Sequence, residues 1–557
     1  MTQALATALP TDGTTISFYG GLGEIGANMC SIEHNGHAII VDIGVTFPDA
    51  NHPGVDLILP NWEDLIQRKP EIDGVVLTHG HEDHIGAVPF FLRDFPGVKV
   101  YGSKLTLGLL RAKLEEHPGT QLEAIEVEAG ESLPVGNWDL EFIAVNHSIP
   151  DSLAVAIHGP DGTIVHTGDF RMDQTPIDNR TTDLPHLAQL GDHGVDLLLA
   201  DSTNACVPGL VPSERTVGAT LRREFARAHG RIIVTTFASH IHRVQQVLDA
   251  ALETGRKVAF VGRSMVRNLP IARALGYVHY EDSDIVDIED ATSLPDREVA
   301  VLCTGSQGEP FAALSLMAAG THRFIAIESG DTVIMACSQI PGNEAAISKV
   351  INGLYRQGAR VVDSRKENVH VSGHASADEL LLFHNVVRPR AFVPVHGEYR
   401  HLVEHAELAR QAGVPDDQVQ VCSDGDRIVM RKGQGISRAL GFAPGRTMVD
   451  GLSVGDVGAN VLRARQRLSA EGVVIVAVRT DRNGKLVERP EIMQQGLFFE
   501  DEHPELISQA EDAVARALAH RAGPRTVAER TIHQTMAQFW REILGRKPVI
   551  VPVVMEA

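Results

Sequence analysis

The sequence predicts an α/β fold in which a first domain is interrupted by a second one and followed by a third, smaller one. Between residues 14 and 212, apolar runs typical of buried strands end in histidines or aspartates. After about residue 212, amphipathic helices alternate with short strands, which is typical of a parallel sheet. Histidines at strand ends return between residues 369 and 398, so we expect the chain to re-enter its first domain. The expected boundaries are 1–212 and 365–449 for the first domain, 213–364 for the inserted domain, 450–469 for a linker and 470–557 for the C-terminal α/β domain.

The composition excludes several classes of protein. The 557 residues, 43% of them apolar, are enough for several packed cores, yet no apolar run approaches the ~18 residues of a membrane span. Residues 1–13 lack the basic start and apolar centre of a signal peptide, so we expect a cytoplasmic protein with no membrane partner. A net charge of −22 argues against non-specific coating with nucleic acid but permits a local basic groove. The five scattered cysteines predict reduced core thiols: Cys30, Cys206, Cys303, Cys337 and Cys422.

The most informative stretch, residues 78–86, comes after a buried strand predicted over 74–77. It has the pattern His-x-His-x-Asp-His, in which His79, His81, Asp83 and His84 fall within six residues. A turn between a strand and a helix lets such side chains converge on one point. A histidine-rich surface turn is the ordinary alternative, but four ligand-type residues at this spacing favour most of a two-metal site.

Other predicted strands also end in residues that can bind metals. His147 comes after the strand at 140–145, Asp169 after the strand at 163–167, and Asp201 after the strand at 195–200. A lone loop histidine is usually structural, but a metal cluster upstream needs further ligands. We predict the same arrangement at His374, after a strand at 369–371, and at His396.

Residues 20–26 form a Gly-x-Gly-x-x-Gly pattern, but a dinucleotide site requires a helix directly after the glycines. In this chain the glycines precede two predicted strands joined by a turn at Asn35-Gly36. The glycines are expected to let the backbone pass close to the metal site. Asp42, at the end of the second strand, caps that strand or supports the metal loop, and the clustering of chemical groups at strand ends favours support.

Taken together, these motifs resemble the β-CASP branch of the metallo-β-lactamase superfamily, and within it the bacterial ribonuclease J family. The resemblance implies an αββα sandwich with an inserted β-CASP domain and a C-terminal oligomerisation domain. It covers most of the chain in the family's order. The supporting stretches are residues 20–26, 78–86, 147–152, 166–170, 201–204, 304–310, 372–374 and 394–399.

The resemblance implies two divalent ions per subunit. One would be held by His79, His81 and His147, the other by Asp83, His84 and His396, and Asp169 would bridge them. These nitrogen and oxygen ligands suit zinc and also admit manganese. In the family such ions direct a hydroxide onto the phosphodiester.

The catalytic residues implied are His374 as general acid, Asp201 as its orienting carboxylate, and Asp83. The alternative for His374 is that it only binds a substrate phosphate. The substrate-binding residues implied by the match are Ser239, His240, His370, Val371, Ser372, Gly373 and His374. Arg263 and Arg267 could line an RNA channel, although arginines on helices are more often solvated. Glu82 receives no role.

The implied activity is 5′→3′ exonucleolytic and also endonucleolytic cleavage of RNA in rRNA processing and mRNA decay. The implied partners are single-stranded RNA, preferably 5′-monophosphorylated, and further copies of the chain in a homodimer or homotetramer. Gly54, Asp56 and Asp450 match positions where the family can carry a structural calcium, an ion that prefers oxygen ligands.

Three other functions remain to be separated from this one. A DNA-processing β-CASP nuclease would differ in its cleavage of matched RNA and DNA strands. A non-catalytic RNA-binding subunit usually loses metal ligands, whereas this chain retains all seven. A small-molecule hydrolase would not need the inserted domain.

Overall fold

The computed structural model describes residues 9–49, 51–307, 309, 312–337, 343–451, 453–498, 503–521 and 523–556. Gly308 and Pro310 of the stretch at 304–310 lie outside the described residues, as do residues 1–8 of the N-terminal segment. The chain forms two compact units, one containing the residues up to 46 and 59–446, the other containing 47–58 and 447–557.

The first part of the larger unit is rich in strands, as its alternating and apolar runs predict. Its strands are β1 Thr14–Gly20, β2 Leu22–Gly23, β3 Met29–His34, β4 His37–Val41, β6 Glu71–Val76, β7 Lys99–Gly102, β8 Glu123–Glu126, β9 Ser132–Val135, β10 Trp138–Ala144, β11 Leu153–Gly159, β12 Gly162–His166 and β13 Leu197–Asp201, and the strand β5 Leu57–Pro60 spans the division between the two units in the chain. Its helices are α1 Glu63–Arg68, α2 Glu82–Ile85, α3 Val88–Asp94, α4 Lys104–Leu114 and α5 Leu184–His193.

The inserted segment alternates helices with parallel strands, which confirms the predicted parallel sheet. Its sheet has the order β15-β16-β14-β17-β18. The elements are α6 Arg215–Arg227, β14 Ile232–Thr235, α7 Ile241–Glu253, β15 Lys257–Val261, α8 Arg263–Ala274, α9 Ile288–Ala291, β16 Val299–Cys303, α10 Ala313–Ala318, β17 Thr332–Met335, α11 Glu344–Arg356 and β18 Arg360–Val362.

The chain then returns to the first domain and completes both of its sheets. The returning elements are α12 Ala377–Val387, β19 Ala391–Val395, β20 Gly397–Glu398, α13 Tyr399–Gln411, β21 Arg427–Arg431 and β22 Gly435–Ala439. One sheet has the order β22-β21-β1-β3-β4-β6-β7-β8, the other β19-β13-β12-β11-β10-β9. Apolar side chains of both sheets, such as Ile39 and Phe142, form one buried core. Helices α5, α12 and α13 cover the outer face of the second sheet, where Leu198 packs with Phe383. This is the expected layered α/β domain.

The smaller unit contains a three-stranded sheet of order β26-β25-β27 that packs on two helices. This confirms the predicted C-terminal α/β arrangement, including its last strand. The elements of this part of the chain are β23 Arg446–Asp450, β24 Ser453–Val454, α14 Ala459–Glu471, β25 Val473–Thr480, β26 Glu491–Gln495, α15 Pro504–His520, α16 Arg525–Leu544 and β27 Val549–Glu556. Among the described residues, none of these or the other helices combines the length and the apolar character needed to cross a bilayer.

The segment expected to be a linker, residues 450–469, contains most of helix α14, which buries Leu462 with Val55 and Val457. One local prediction was wrong. Residues 369–371 are not a strand. Arg243 donates a hydrogen bond from Nη1 to the carbonyl of Val369, so a side chain takes the place of a neighbouring strand.

Candidate metal centre

Three parallel strands of the second sheet end at the same edge and carry ligand-type residues there. β12 pairs with β13 and β13 with β19, so that Asp201 lies in register with Val395. Asp169 lies three residues beyond β12, Asp201 ends β13, and His396 comes directly after β19. Because parallel strands share one carboxyl edge, residues far apart in sequence come together here.

Hydrogen bonds to Asp42 hold the loop after β6 in place. The Asp42 carboxylate accepts hydrogen bonds from the Thr78 backbone N–H and from Thr78 Oγ1, both at 2.8 Å. Its Oδ2 also lies 2.7 Å from His84 Nδ1, so the Nε2 atom of His84 faces the centre of the site. Asp42 therefore has the supporting position that the sequence favoured over a strand cap.

The structure brings the predicted ligands together in two groups that share Asp169. Within each group the potential ligand atoms lie within 4.8 Å of one another. The first group consists of His79, His81, His147 and Asp169, and the second of Asp83, His84, Asp169 and His396.

The imidazole rings from the second sheet are oriented by hydrogen bonds on their outer nitrogens. His147 donates from Nδ1 to the carbonyl of Gly373 at 2.8 Å, which leaves Nε2 free to bind an ion. His396 Nδ1 lies 2.8 Å from Thr203 Oγ1, while its Nε2 faces Asp83. Gly373 is required at this contact, because a Cβ atom there would lie 2.8 Å from His147 Cε1.

The chemistry of these residues fits divalent cations. Oδ1 of Asp169 is buried and has no hydrogen-bond partner among the described residues. Burial acts to raise the pKa of Asp169, but the charges of His396 and His84 hold that pKa well below its usual range. Burial lowers the pKa of His81 to about 4, so this ring is a neutral potential ligand. An ion would replace the protons that now balance the carboxylates.

Glu82, which lies between His81 and Asp83 in the chain, is directed away from both groups. Its carboxylate accepts a hydrogen bond from Lys113 Nζ at 2.7 Å and lies 3.7 Å from Arg267 Nη2. It belongs to neither group of potential ligands, in agreement with the sequence pattern, which predicts no role for it.

His374 and Asp201 lie beside the two groups. His374 Nδ1 is 2.7 Å from Asp201 Oδ2, and Oδ1 of Asp201 accepts hydrogen bonds from the Thr203 N–H and hydroxyl. The His374 ring lies 5.0 Å from the His147 ring and 5.5 Å from the His396 ring, centroid to centroid. Burial acts to lower the pKa of His374, but the Asp201 carboxylate outweighs this and raises it.

The predicted substrate-binding residues occupy two neighbouring segments. In the first, Ser372 Oγ accepts a hydrogen bond from the His374 N–H, and Val371 is buried. In the second, His240 comes directly before helix α7 and caps it by accepting a hydrogen bond from the Arg243 N–H, while Ser239 is half-buried. His370 Nδ1 lies 3.3 Å from Arg243 Nη1, which connects the two segments.

Sequence reasoning missed two buried arginines that support the 370–374 segment. Arg243 pairs with Glu214 through Nε at 2.5 Å, and Arg171 donates from Nη1 to the Ser372 carbonyl at 3.0 Å. Arg171 stands two residues after Asp169, and that proximity was the available signal. Arg243 lies on a helix where nothing in the periodicity distinguishes it from a solvated residue.

The residues expected to bind calcium surround an arginine instead. Arg465 on α14 pairs through Nη2 with the Asp450 carboxylate. Its Nη1 donates to the carbonyls of Gly54 at 3.1 Å and Pro53 at 3.2 Å. Asp56 accepts a hydrogen bond from the Gly451 N–H. This arrangement does not fit a calcium ion, because the guanidinium already neutralises the carboxylate and uses the carbonyl oxygens.

Family models match four segments of the chain. The descriptions are "Beta-lactamase superfamily domain" for residues 46–205 and "Ribonuclease J, beta-CASP domain" for 229–354. Residues 359–419 match "Zn-dependent metallo-hydrolase RNA specificity domain", and residues 460–557 match "Ribonuclease J C-terminal domain". These models and the candidate ligand groups support the use of divalent metal.

Full-length relatives share the same description. A ribonuclease J of Mycolicibacterium smegmatis is 46% identical over 551 residues, which are 98% of this chain and 98% of that protein. A ribonuclease J of Thermus thermophilus is 41% identical over 98% of this chain and 96% of that protein. A solved structure of a protein of unknown function from Enterococcus faecalis shares the fold with a TM-score of 0.53 at 16% identity, over 75% of this chain and all of that one. The chain therefore belongs to the ribonuclease J family of metallo-β-lactamase and β-CASP proteins, and it is a metal-dependent ribonuclease.

Proposed function

We propose that this ribonuclease removes nucleotides stepwise from the 5′ end of single-stranded RNA bearing a 5′ monophosphate. The observation that carries the proposal is the position of the 370–374 segment. Its His374 lies beside the two groups of potential ligands, and its Gly373 carbonyl accepts a hydrogen bond from the His147 ring. A substrate phosphate bound along this segment would therefore lie beside the metal centre.

The metal centre is proposed to hold two ions, zinc or manganese. When bound, such ions supply a nucleophile from water and stabilise the negative charge that develops on the phosphoryl group. The protein contributes carboxylates and imidazoles at fixed positions, with Asp169 common to both groups, and an imidazole binds an ion in its neutral form. The proposed ligands are His79, His81 and His147 for one ion, Asp83, His84 and His396 for the other, and Asp169 for both.

His374 is proposed to donate the proton that the leaving 3′ oxygen needs. Asp201 fixes the ring through Nδ1, so the other ring nitrogen is available to the substrate. The Asp201 carboxylate also favours the protonated imidazole, which is the form a general acid requires. The alternative, in which His374 only binds a phosphate, predicts weaker binding with an unchanged chemical step.

The 5′ phosphate is proposed to bind where the segments containing Ser239 and Ser372 meet. His240 and His370 both contact Arg243, which connects the two segments, and the buried Val371 follows His370 in the chain. A terminal phosphate at this position limits how much RNA can extend past the metals. Short products from the 5′ end are the expected consequence.

Digestion of one RNA in three forms tests the proposal. The purified protein is incubated with zinc or manganese and with RNA carrying a 5′ monophosphate, a 5′ triphosphate or a 5′ hydroxyl. We expect mononucleotides from the monophosphorylated RNA first. Equal cleavage of all three into internal fragments would instead favour endonucleolytic action, and a matched DNA strand separates ribonuclease from deoxyribonuclease activity.

The C-terminal domain, proposed at residues 470–557, is the candidate for self-assembly into dimers or tetramers of a cytoplasmic enzyme. One face of its sheet packs on α15 and α16, whereas the other carries apolar side chains such as Met493, Val551 and Met555 that are 40–51% exposed. Pairing of such a face with a second copy would remove apolar surface from water. A deletion that preserved both assembly and activity would refute this role.

A further inference from the structure

Helix α8 of the inserted segment lies against helix α4, which belongs to the first domain. Gly108 on α4 permits the close approach, because a Cβ atom there would lie 2.6 Å from Cδ1 of Leu275, directly after α8. Lys104 Nζ donates a hydrogen bond to the Leu275 carbonyl at 3.3 Å. α8 is therefore packed next to the first domain along its C-terminal half.

A charged contact connects α8 with residues 77–84, which contain four of the proposed ligands and are called the first metal loop. Arg267 donates from Nη1 to Glu116 at 2.7 Å, and its Nη2 lies 3.7 Å from Glu82 Oε1. The other oxygen of Glu82 accepts a hydrogen bond from Lys113 Nζ at 2.7 Å. Glu82 stands between two proposed ligands in the chain, so this contact bears directly on the first metal loop.

A second contact connects the residues after α8 with residues 145–152 between β10 and β11, which contain His147 and are called the second metal loop. The Tyr277 hydroxyl donates a hydrogen bond to Asp151, four residues after His147. Arg180 donates from Nη1 to the other oxygen of Asp151 at 2.5 Å. Asp151 has a φ of 60°, in the left-handed region that residues other than glycine adopt only when their surroundings hold them there. Two hydrogen bonds thus fix a strained residue of the second metal loop.

We propose that Arg267 and Tyr277 are positioning residues, through which the inserted domain holds both metal loops in their binding geometry. The inference rests on the proposed function and on its metal ligands. Arg267 and Tyr277 both lie within residues 267–277. A displacement of α8 would therefore alter the contacts to both metal loops at once. Residues that orient metal ligands from outside typically change metal affinity or activity 10–100-fold when they are replaced.

Two conservative variants separate this role from general stability. Tyr277→Phe removes only the hydroxyl, and Arg267→Met removes the charge while keeping the alkyl stem. Zinc affinity is measured by competition with a chromophoric chelator. Turnover is measured on bis(p-nitrophenyl) phosphate, which is too small to need the RNA channel. We expect the double variant, which combines Tyr277→Phe with Arg267→Met, to lose about 10-fold in zinc affinity. Its turnover should fall by a similar factor, and its unfolding midpoint should stay unchanged.

The controls come from the same part of the inserted domain. Arg273 lies over the Tyr280 ring at 4.4 Å and pairs with Asp282, so these contacts stay within the inserted segment. Arg273→Met and Tyr280→Phe are expected to keep wild-type zinc affinity and turnover. Arg267→Lys, which retains the charge, is expected to recover most of the affinity lost in Arg267→Met.

Zinc affinity and small-diester turnover within about twofold of wild type in the double variant would overturn the proposal, even if the KM for RNA increased. In that case the only role left for α8 would be to line the RNA channel. A wild-type protein that bound no zinc and no manganese would instead refute the metal assignment, and the positioning role with it.

Discussion

The two regions that the sequence predicted to bind cations neutralise their carboxylates in different ways. In the metal centre, Asp169 is buried among imidazoles, and one of its oxygens has no hydrogen-bond partner among the described residues. Near Asp450, the guanidinium of Arg465 contacts the carboxylate and the carbonyl of Gly54. The first region has ligand atoms directed at a common point, whereas the second already contains its own cation.

A set of ligand-type residues in a sequence does not show whether another side chain already supplies the positive charge. Buried charges in proteins are either paired with an opposite charge or coordinate a metal. In the part of the chain that the structure describes, the ion-pair partners of Asp169 are all imidazoles, which can give up their protons to an ion. Arg465 cannot do so. It lies on α14, within a segment expected to be a linker, and the helix brings it onto Asp450.

The largest expected effect comes from removing a carboxylate from the metal centre. Asp83→Ala should abolish binding of one ion and lower ribonuclease turnover about 10³-fold or more, because the charge on the phosphoryl group then lacks a stabilising cation. Glu82→Ala, at the adjacent position, should still bind two ions at saturating metal, since Glu82 is directed toward Lys113. Metal content by mass spectrometry checks both variants. Two ions retained in Asp83→Ala would remove Asp83 from the ligand set.

His374→Ala is expected to lower single-turnover cleavage roughly 10²–10⁴-fold while leaving the metal content unchanged. The reason is that the leaving oxygen loses its proton donor, whereas no ligand is removed. The measurement is single-turnover cleavage of 5′-monophosphorylated RNA at saturating enzyme. An unchanged rate combined with weaker RNA binding would establish His374 as a phosphate contact.

Asp201→Asn should have a smaller effect, about 10–100-fold on turnover. The amide retains the size of the carboxylate but cannot favour the charged form of His374, and it weakens the support at His396, whose Nδ1 lies 3.3 Å from Asp201 Oδ1. Single-turnover rates across pH test this. If the variant matched wild type at every pH, Asp201 would not be the group that orients His374.

The strand ends were predictable because strands have a short period and a clear apolar signature. The strands expected at 140–145, 163–167 and 195–200 agree within two residues at each end with β10, β12 and β13. The pairing between β13 and β19 could not be predicted from local sequence, because it joins residues almost 200 positions apart. The family resemblance supplied that long-range information, and the parallel register provides its physical basis.

The segments that were harder to predict depend on long polar side chains. Val369 has the apolar, β-branched character of a strand residue, but its carbonyl is paired with Arg243 from a different element. The α14 segment resembles a linker because arginines interrupt its apolar face, which is reduced to Leu462 among the buried positions. Long polar side chains reach across several residues, and their partners cannot be inferred from spacing along the chain.

The smallest expected effect concerns the second region and tests the comparison most directly. Wild-type protein should show the same thermal unfolding in calcium and in a calcium chelator, because Arg465 already balances Asp450. Arg465→Gln should lower the free energy of unfolding of this unit by about 1 kcal/mol, a modest value since both side chains are about one-third exposed. Arg463→Gln, on the same helix, is the matched control, because the described hydrogen bonds of Arg463 stay within α14. If calcium stabilised the Arg465→Gln variant but not wild type, the guanidinium would be acting in place of an ion. Stabilisation of the wild type by calcium would show that the ion displaces Arg465, and the two regions would then be alike.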